Sequence, residues 1–232
     1  MRPSTLALFA IALCGSVQAQ NGTVQHTGAM RNTMFNGQLS ALVGMDSVAA
    51  PGVYGIGPLA FLRGELLVVD GRCYVATATS DSSMQVVERS DAGAPFFVQQ
   101  EVHAWRPVAL PDGVTDLRSL DGFLTAEFGA LQAPFAFRMS GVFRSVQLHL
   151  VAVPPGTEVH GPADAHAHNR NYQLNNSDAQ AIGFFSTKHH AVFTHHDTNI
   201  HVHAMTTDRR MMGHADGLLF DPAQVQLSVA LP

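Results

Sequence analysis

The segment Glu65-Leu66-Leu67-Val68-Val69-Asp70-Gly71-Arg72-Cys73-Tyr74 decides the fold class. Two apolar runs flank Asp-Gly, and this dipeptide supplies the two left-handed residues that a two-residue hairpin turn needs. The segment is therefore expected to be a β-hairpin. Cys73 lies in its second apolar run and reads as a buried thiol; a disulfide to a second copy is the alternative. Outward from the hairpin, strands are expected at 85–88, 96–103, 135–138 and 142–153. Further strands are expected at 172–174, 181–185, 191–194, 198–205 and 225–230. Upstream, 52–58 is glycine-punctuated and reads as a loop or tight strand. Residues 28–45 carry one or two short helices. One convincing amphipathic helix spans 116–128, with Leu117, Leu120, Phe123 and Leu124 on a shared face. The pattern is α+β, β-rich with few helices, and not an alternating βαβ chain.

Composition narrows the function. The chain has 232 residues, 46% hydrophobic and 13% charged, with a net charge of −5. The apolar share excludes a disordered chain, and the acidic balance offers no footprint for nucleic acid. The N-terminus reads as an address. Arg2, an apolar run at 6–13 and Val17-Gln18-Ala19 together form a secretory signal, cut after Ala19. Residues 1–19 are then signal peptide, and 20–232 are a mature protein in the periplasm or outside the cell. No later run is long enough to span a membrane. A lipoprotein through Cys14 is less well supported, since Leu13 stands where a small residue is needed. Signal removal leaves Cys73 alone, so an intrachain disulfide is excluded and a core, a metal or a partner chain must hold the fold.

Histidine is the outlier, at 13 residues, and ten of them lie between His160 and His214. Most, including His166, His168, His189, His190, His195 and His196, sit in polar stretches and read as surface residues. The run Thr198-Asn199-Ile200-His201-Val202-His203-Ala204-Met205 differs, because it alternates. On a strand, residues two apart share a face, so Ile200, Val202 and Ala204 pack inward while His201 and His203 point together to the other side. Their Cα atoms are then roughly 6.5–7 Å apart, a workable bite for one ion. His214 follows after ten residues. A neighbouring strand can bring it to the same ion as a third imidazole, and three imidazoles with an open position form a catalytic zinc pattern. The same spacing is also met by two outward histidines on a strand and one in a turn.

Several short motifs carry a resemblance. Gly55-Ile56-Gly57, Leu62-x-Gly64-Glu65-Leu66, Asp70-Gly71 with Tyr74, Gly141-x-Phe143-x-x-Val146, Gly183-Phe184, His201-x-His203 and Gly213-His214 occur in the order and spacing of the α-acetolactate decarboxylases. The chain resembles that family over most of its mature length. The resemblance implies two closely packed, mixed or antiparallel sheet halves dividing near 140–160, in a homodimer. It implies Zn2+ on His201, His203 and His214, with Glu65 as a catalytic carboxyl. It also implies the conversion of 2-acetolactate, a small 2-hydroxy-3-oxo acid, to acetoin and CO2.

Three departures stand out. His149 occupies the position of a family arginine that meets the substrate carboxylate, so His149 is the expected catalytic and substrate-binding residue there. Arg144 lies an odd number of residues away and faces the other side of its strand. Pro58 replaces a substrate-side threonine. The chain ends 18 residues after His214 and has no Asp or Glu beyond Asp221, so the family's late glutamate is missing unless Asp216 or Asp221 fills in. The alternative to an active lyase is an exported metal-binding homologue that has lost the activity and binds a small molecule or metal.

Overall fold

The computed structural model describes residues 20–232, so the expected signal segment lies outside the described residues. The first half runs β1 (Gln25–Thr27), α1 (Met30–Asn36), β2 (Val43–Gly44), α2 (Met45–Val48), β3 (Val53–Pro58), β4 (Glu65–Val69), β5 (Arg72–Ala78), β6 (Met84–Glu88), β7 (Gly93–Ala94) and β8 (Phe97–Glu101). The second runs β9 (Arg106–Val108), α3 (Leu117–Phe128), β10 (Phe135–Val151), α4 (Pro162–His166), β11 (Asn169–Phe185), β12 (Ile200–Thr206) and β13 (Met212–Ala230). The architecture is α+β and β-rich. Of the two large sheets, the first has the strand order β1-β8-β3-β4-β5-β6 and the second has β10-β11-β12-β13-β9, while β2 pairs only with β7. Because β10 also pairs with β13, the second sheet closes into a ring of four strands.

The hairpin forms as its sequence requires. Asp70 and Gly71 both take positive φ, at 51° and 76°, and β4 pairs with β5 across them. Alternation along β4 then assigns its faces. Leu67 joins the large core shared with the second sheet, while Leu66 and Val68 join a smaller cluster with Cys73, Met45 and Phe97. Glu65 shares the face of Leu67, so it too is aimed between the sheets. A buried Gln100 ties the halves together: its amide donates to the Ala230 carbonyl, and its oxygen accepts from the Ala136 N–H at 2.6 Å.

Several boundaries differ from expectation. Segments 135–138 and 142–153 are one strand, β10, bent where Gly141 takes a φ of 143°. A Cβ there would stand 2.1 Å from the Gln224 carbonyl oxygen, so the bend needs glycine. Segments 172–174 and 181–185 likewise merge into β11. Residues 191–194 are a turn and not a strand: the Phe193 and Thr194 N–H groups both donate to the His189 carbonyl. Sheet membership changes between Glu101 and Arg106, and 154–168 only connects two long antiparallel neighbours. Among the described residues, no helix is long and apolar enough to cross a membrane.

Candidate metal centre

Register brings the histidines together. On β12, His203 stands opposite His214 of β13, and on the other side of β13 His214 stands opposite His149 of β10. His201 lies two residues before His203 on the same face. The ring centroids of His201, His203 and His214 are 5.0, 5.0 and 5.5 Å apart. All three rings are buried, because the first sheet covers the face that alternation gave them. The strand therefore has no solvent side: Ile200, Val202 and Ala204 fill the ring of strands, and the imidazoles fill the space between the sheets.

Main-chain oxygens fix two of the rings. A carbonyl can only accept, so His201 Nδ1–H donates to Phe193 at 2.8 Å and His203 Nδ1–H donates to Leu66 at 3.0 Å. Both Nε2 atoms are left as lone-pair donors, the arrangement that orients a metal ligand. His201 Nε2 lies 3.2 Å from His214 Nδ1. Two nitrogens on one tetrahedral ion, with bonds near 2.0–2.1 Å, are separated by about 3.3–3.4 Å. Burial also keeps these rings uncharged. It holds His201 and His214 well below the usual histidine range, helped by the neighbouring imidazoles, and takes His203 down to about 3. Neutral imidazole is the ligating form.

Glu65 begins β4 at the same place. Gly64 before it, at a φ of 149°, leaves no room for a Cβ, which would meet the Ala76 carbonyl at 2.0 Å. The Glu65 carboxylate oxygen lies 3.7 Å from His203 Nε2. Burial raises its pKa well above the ordinary carboxylate value, and the charge of Asp216 adds to this, although the Val151 N–H opposes it. Pro58 sits directly across from Glu65 in the β3–β4 register and lines the adjoining cavity.

His149 is also buried and inside the site. Its ring lies 4.6 Å from that of His214, and its Nδ1 stands 2.8 Å from both carboxylate oxygens of Asp216. Asp216 follows His214 by two residues at an irregularity of β13, where Leu148 pairs with Ala215 and Gln147 with Gly217, and its carboxylate lies 3.9 Å from His214 Nε2. Asp221 lies elsewhere, in an exposed ion pair with Arg144 at 2.8 Å. A cavity of about 280 Å³ opens on the cluster, with apolar walls from Met30, Met34, Phe96 and Val151.

One neighbour was not expected. His195, read as a surface residue, is largely enclosed, and its ligand atom lies within 4.8 Å of those of His201 and His214. The polar run around it gives no sign of this, because its burial comes from the neighbouring strands. Two of the cluster's nitrogens, Nε2 of His195 and of His203, are buried without a hydrogen-bond partner. Unpartnered buried donors or acceptors are costly, and a bound cation satisfies imidazole lone pairs. The residues present thus fit a divalent ion.

Fold and cluster define an α+β protein with a buried, histidine-rich centre able to hold a metal between two sheets. The family model of alpha-acetolactate decarboxylase matches residues 26–231, and the chain belongs to that family. Among solved structures, the alpha-acetolactate decarboxylase of Bacillus subtilis strain 168 is similar at 16% identity and a TM-score of 0.72, covering 89% of this chain and 84% of that one. The acetolactate decarboxylase of Bacillus subtilis subspecies spizizenii matches at 17% identity and 0.71, covering 89% and 85%. A Staphylococcus aureus protein of unknown function, described as similar to alpha-acetolactate decarboxylase, matches at 17% and 0.72, covering 89% and 84%. At these identities the likeness is one of fold. No curated protein sequence matches this chain significantly.

Proposed function

We infer that the protein is a zinc-dependent carboxy-lyase that converts 2-acetolactate, or a close 2-hydroxy-3-oxo acid, to acetoin and CO2. One observation carries this reading: buried His201 and His214 line a cavity with the buried carboxyl of Glu65, and the His203 ring stands 5.0 and 5.5 Å from theirs. Membership of the family supports it. Bound at the three imidazoles, zinc would supply Lewis acidity toward the substrate's hydroxyl and ketone oxygens and toward the negative charge left as CO2 departs.

The chain's own groups do the rest. The bond between the substrate carboxylate and C2 breaks, its electron pair stays on the four-carbon fragment, and one proton must reach carbon. Glu65, kept in its acid form by burial, is placed to deliver that proton. His149 takes the place of the family's arginine. With Nδ1–H donating to Asp216, its Nε2 can meet the substrate carboxylate as an N–H donor only in the imidazolium form. The apolar walls accept the methyl groups and keep water from the reacting carbon. Pro58 adds to that wall without an N–H or hydroxyl of its own. Export to the periplasm or beyond, and a homodimer, complete the reading and rest on the sequence resemblance and on residues 1–19.

The test is an acetoin assay of zinc-loaded protein with racemic acetolactate between pH 5 and 8. Acetoin above the spontaneous background, lost on chelation and regained with zinc, is expected. Zinc-loaded protein that forms none overturns the lyase reading and leaves an inactive metal-binding homologue.

A further inference from the structure

We propose that His195 is a fourth imidazole ligand of this metal centre, carried on the turn that joins β11 to β12. The proposal rests on the metal-binding reading above and adds a residue to it. Two kinds of observation, proximity and an unmet nitrogen, point the same way. Two groups among the described residues have ligand atoms all within 4.8 Å of one another, His195 with His201 and His214, and His149 with His214 and Asp216; His203 belongs to neither, and its Nε2 stands 3.7 Å from Glu65. The His195 ring stands 4.9 Å from that of His214 and 5.6 Å from that of His201, the spacing kept by His201, His203 and His214 among themselves. Its Nε2 is buried with no hydrogen-bond partner.

The turn is built to hold it there. The Met30 and Arg31 N–H groups, at the start of α1, donate to the carbonyls of Val192 and Ala191. At the far end, Asp121 of α3 accepts from the Thr198 hydroxyl at 2.9 Å and the Asn199 N–H at 3.1 Å. Between these anchors, Ala191 takes a left-handed φ of 56°, a strained position for a residue with a side chain. The carbonyl of Phe193, two residues before His195, is the one that orients His201. A single fastened turn thus aims one ligand and supplies another. Being neutral, a fourth imidazole leaves the ion its full double charge, and its departure would open a coordination position for a chelating substrate.

The experiment reads the metal and not turnover. X-ray absorption on the zinc-loaded parent protein counts imidazoles at the ion, with four expected. His195→Ala and His195→Gln are then compared with the parent for zinc affinity, by competition with a chromophoric chelator. Cobalt-loaded samples give the d–d spectrum of each. Both variants should bind zinc at least roughly 10-fold more weakly and shift the cobalt bands, and added imidazole should restore the parent spectrum of His195→Ala. His103→Ala, an exposed histidine remote from the cluster, should match the parent. Three imidazoles in the parent, or unchanged affinity and spectrum in a folded variant, overturn the assignment of His195 alone. A parent that binds no stoichiometric zinc overturns the metal reading, and the proposal with it.

Discussion

At the scale of the residue, two buried groups in neighbouring parts of the first sheet contrast. Glu65 and Cys73 are both held neutral by burial, but only Glu65 faces the cavity. Cys73, on the far face of the sheet, has its thiol pushed up to about 12. Glu65→Gln keeps the size and removes the transferable proton. It should lower acetoin formation roughly 10²–10³-fold while zinc content stays near one per chain, checked by activity and metal analysis side by side. Zinc loss at equal rank with activity would instead make Glu65 a ligand. Cys73 should resist maleimide in the folded protein and react within the dead time once denaturant unfolds it; mass spectrometry distinguishes the two. The sequence shows these residues unequally. Alternation over 200–205 makes His201 and His203 a pair, and family spacing adds His214. Nothing local marks His195, whose polar neighbours describe a surface that the fold later covers.

At the scale of the element, the long strands decide the geometry. β10 spans Phe135–Val151 and carries His149 at one end, while its other end is stitched to the first sheet through Gln100. The bend at Gly141 lets one strand serve both ends, and that bend is why its sequence reads as two segments. Gly141→Ala would force a Cβ against the Gln224 carbonyl in a backbone conformation that alanine disfavours. The expected cost is about 2–5 kcal/mol, seen as a lower midpoint in denaturant at an unchanged slope. A midpoint within error of the parent would mean the strand can straighten. The hairpin at 65–74 and the helix at 117–128 were legible for a simpler reason: each carries its own terminator. Asp70-Gly71 fixes the turn, and Asp116 with Ser119 forms a reciprocal cap at the start of α3.

At the scale of the whole molecule, the centre is a seam between sheets, so its ionisation enters the stability of both. His201, His203 and His214 titrate lower in the folded protein than in the unfolded chain, whose histidines titrate near 6.5. As pH falls through 6.5, the unfolded chain takes up protons that the fold refuses. Their contribution is therefore complete above 6.5 and lost toward the folded values, about 3 for His203. Glu65, raised in the fold, pulls the other way, but it is one group against three. Metal-stripped protein should lose about 2 kcal/mol between pH 6.5 and 5.5, visible as a falling melting temperature. A flat profile would mean the imidazoles are solvated when the metal is absent. The packing of two large sheets was foreseeable from the resemblance, while pairing between distant strands leaves no mark in the sequence where one sheet gives way to the other. The two oxygens that set the imidazole tautomers, on Phe193 and Leu66, belong to the main chain. No exchange of a side chain deletes a peptide carbonyl, so residues 66 and 193 can drift in identity while the lock persists. An alanine scan would pass over it, and so would any comparison of aligned letters. What orients these imidazoles is transmitted by the path of the backbone, and an amide-to-ester replacement in the peptide itself would weaken it.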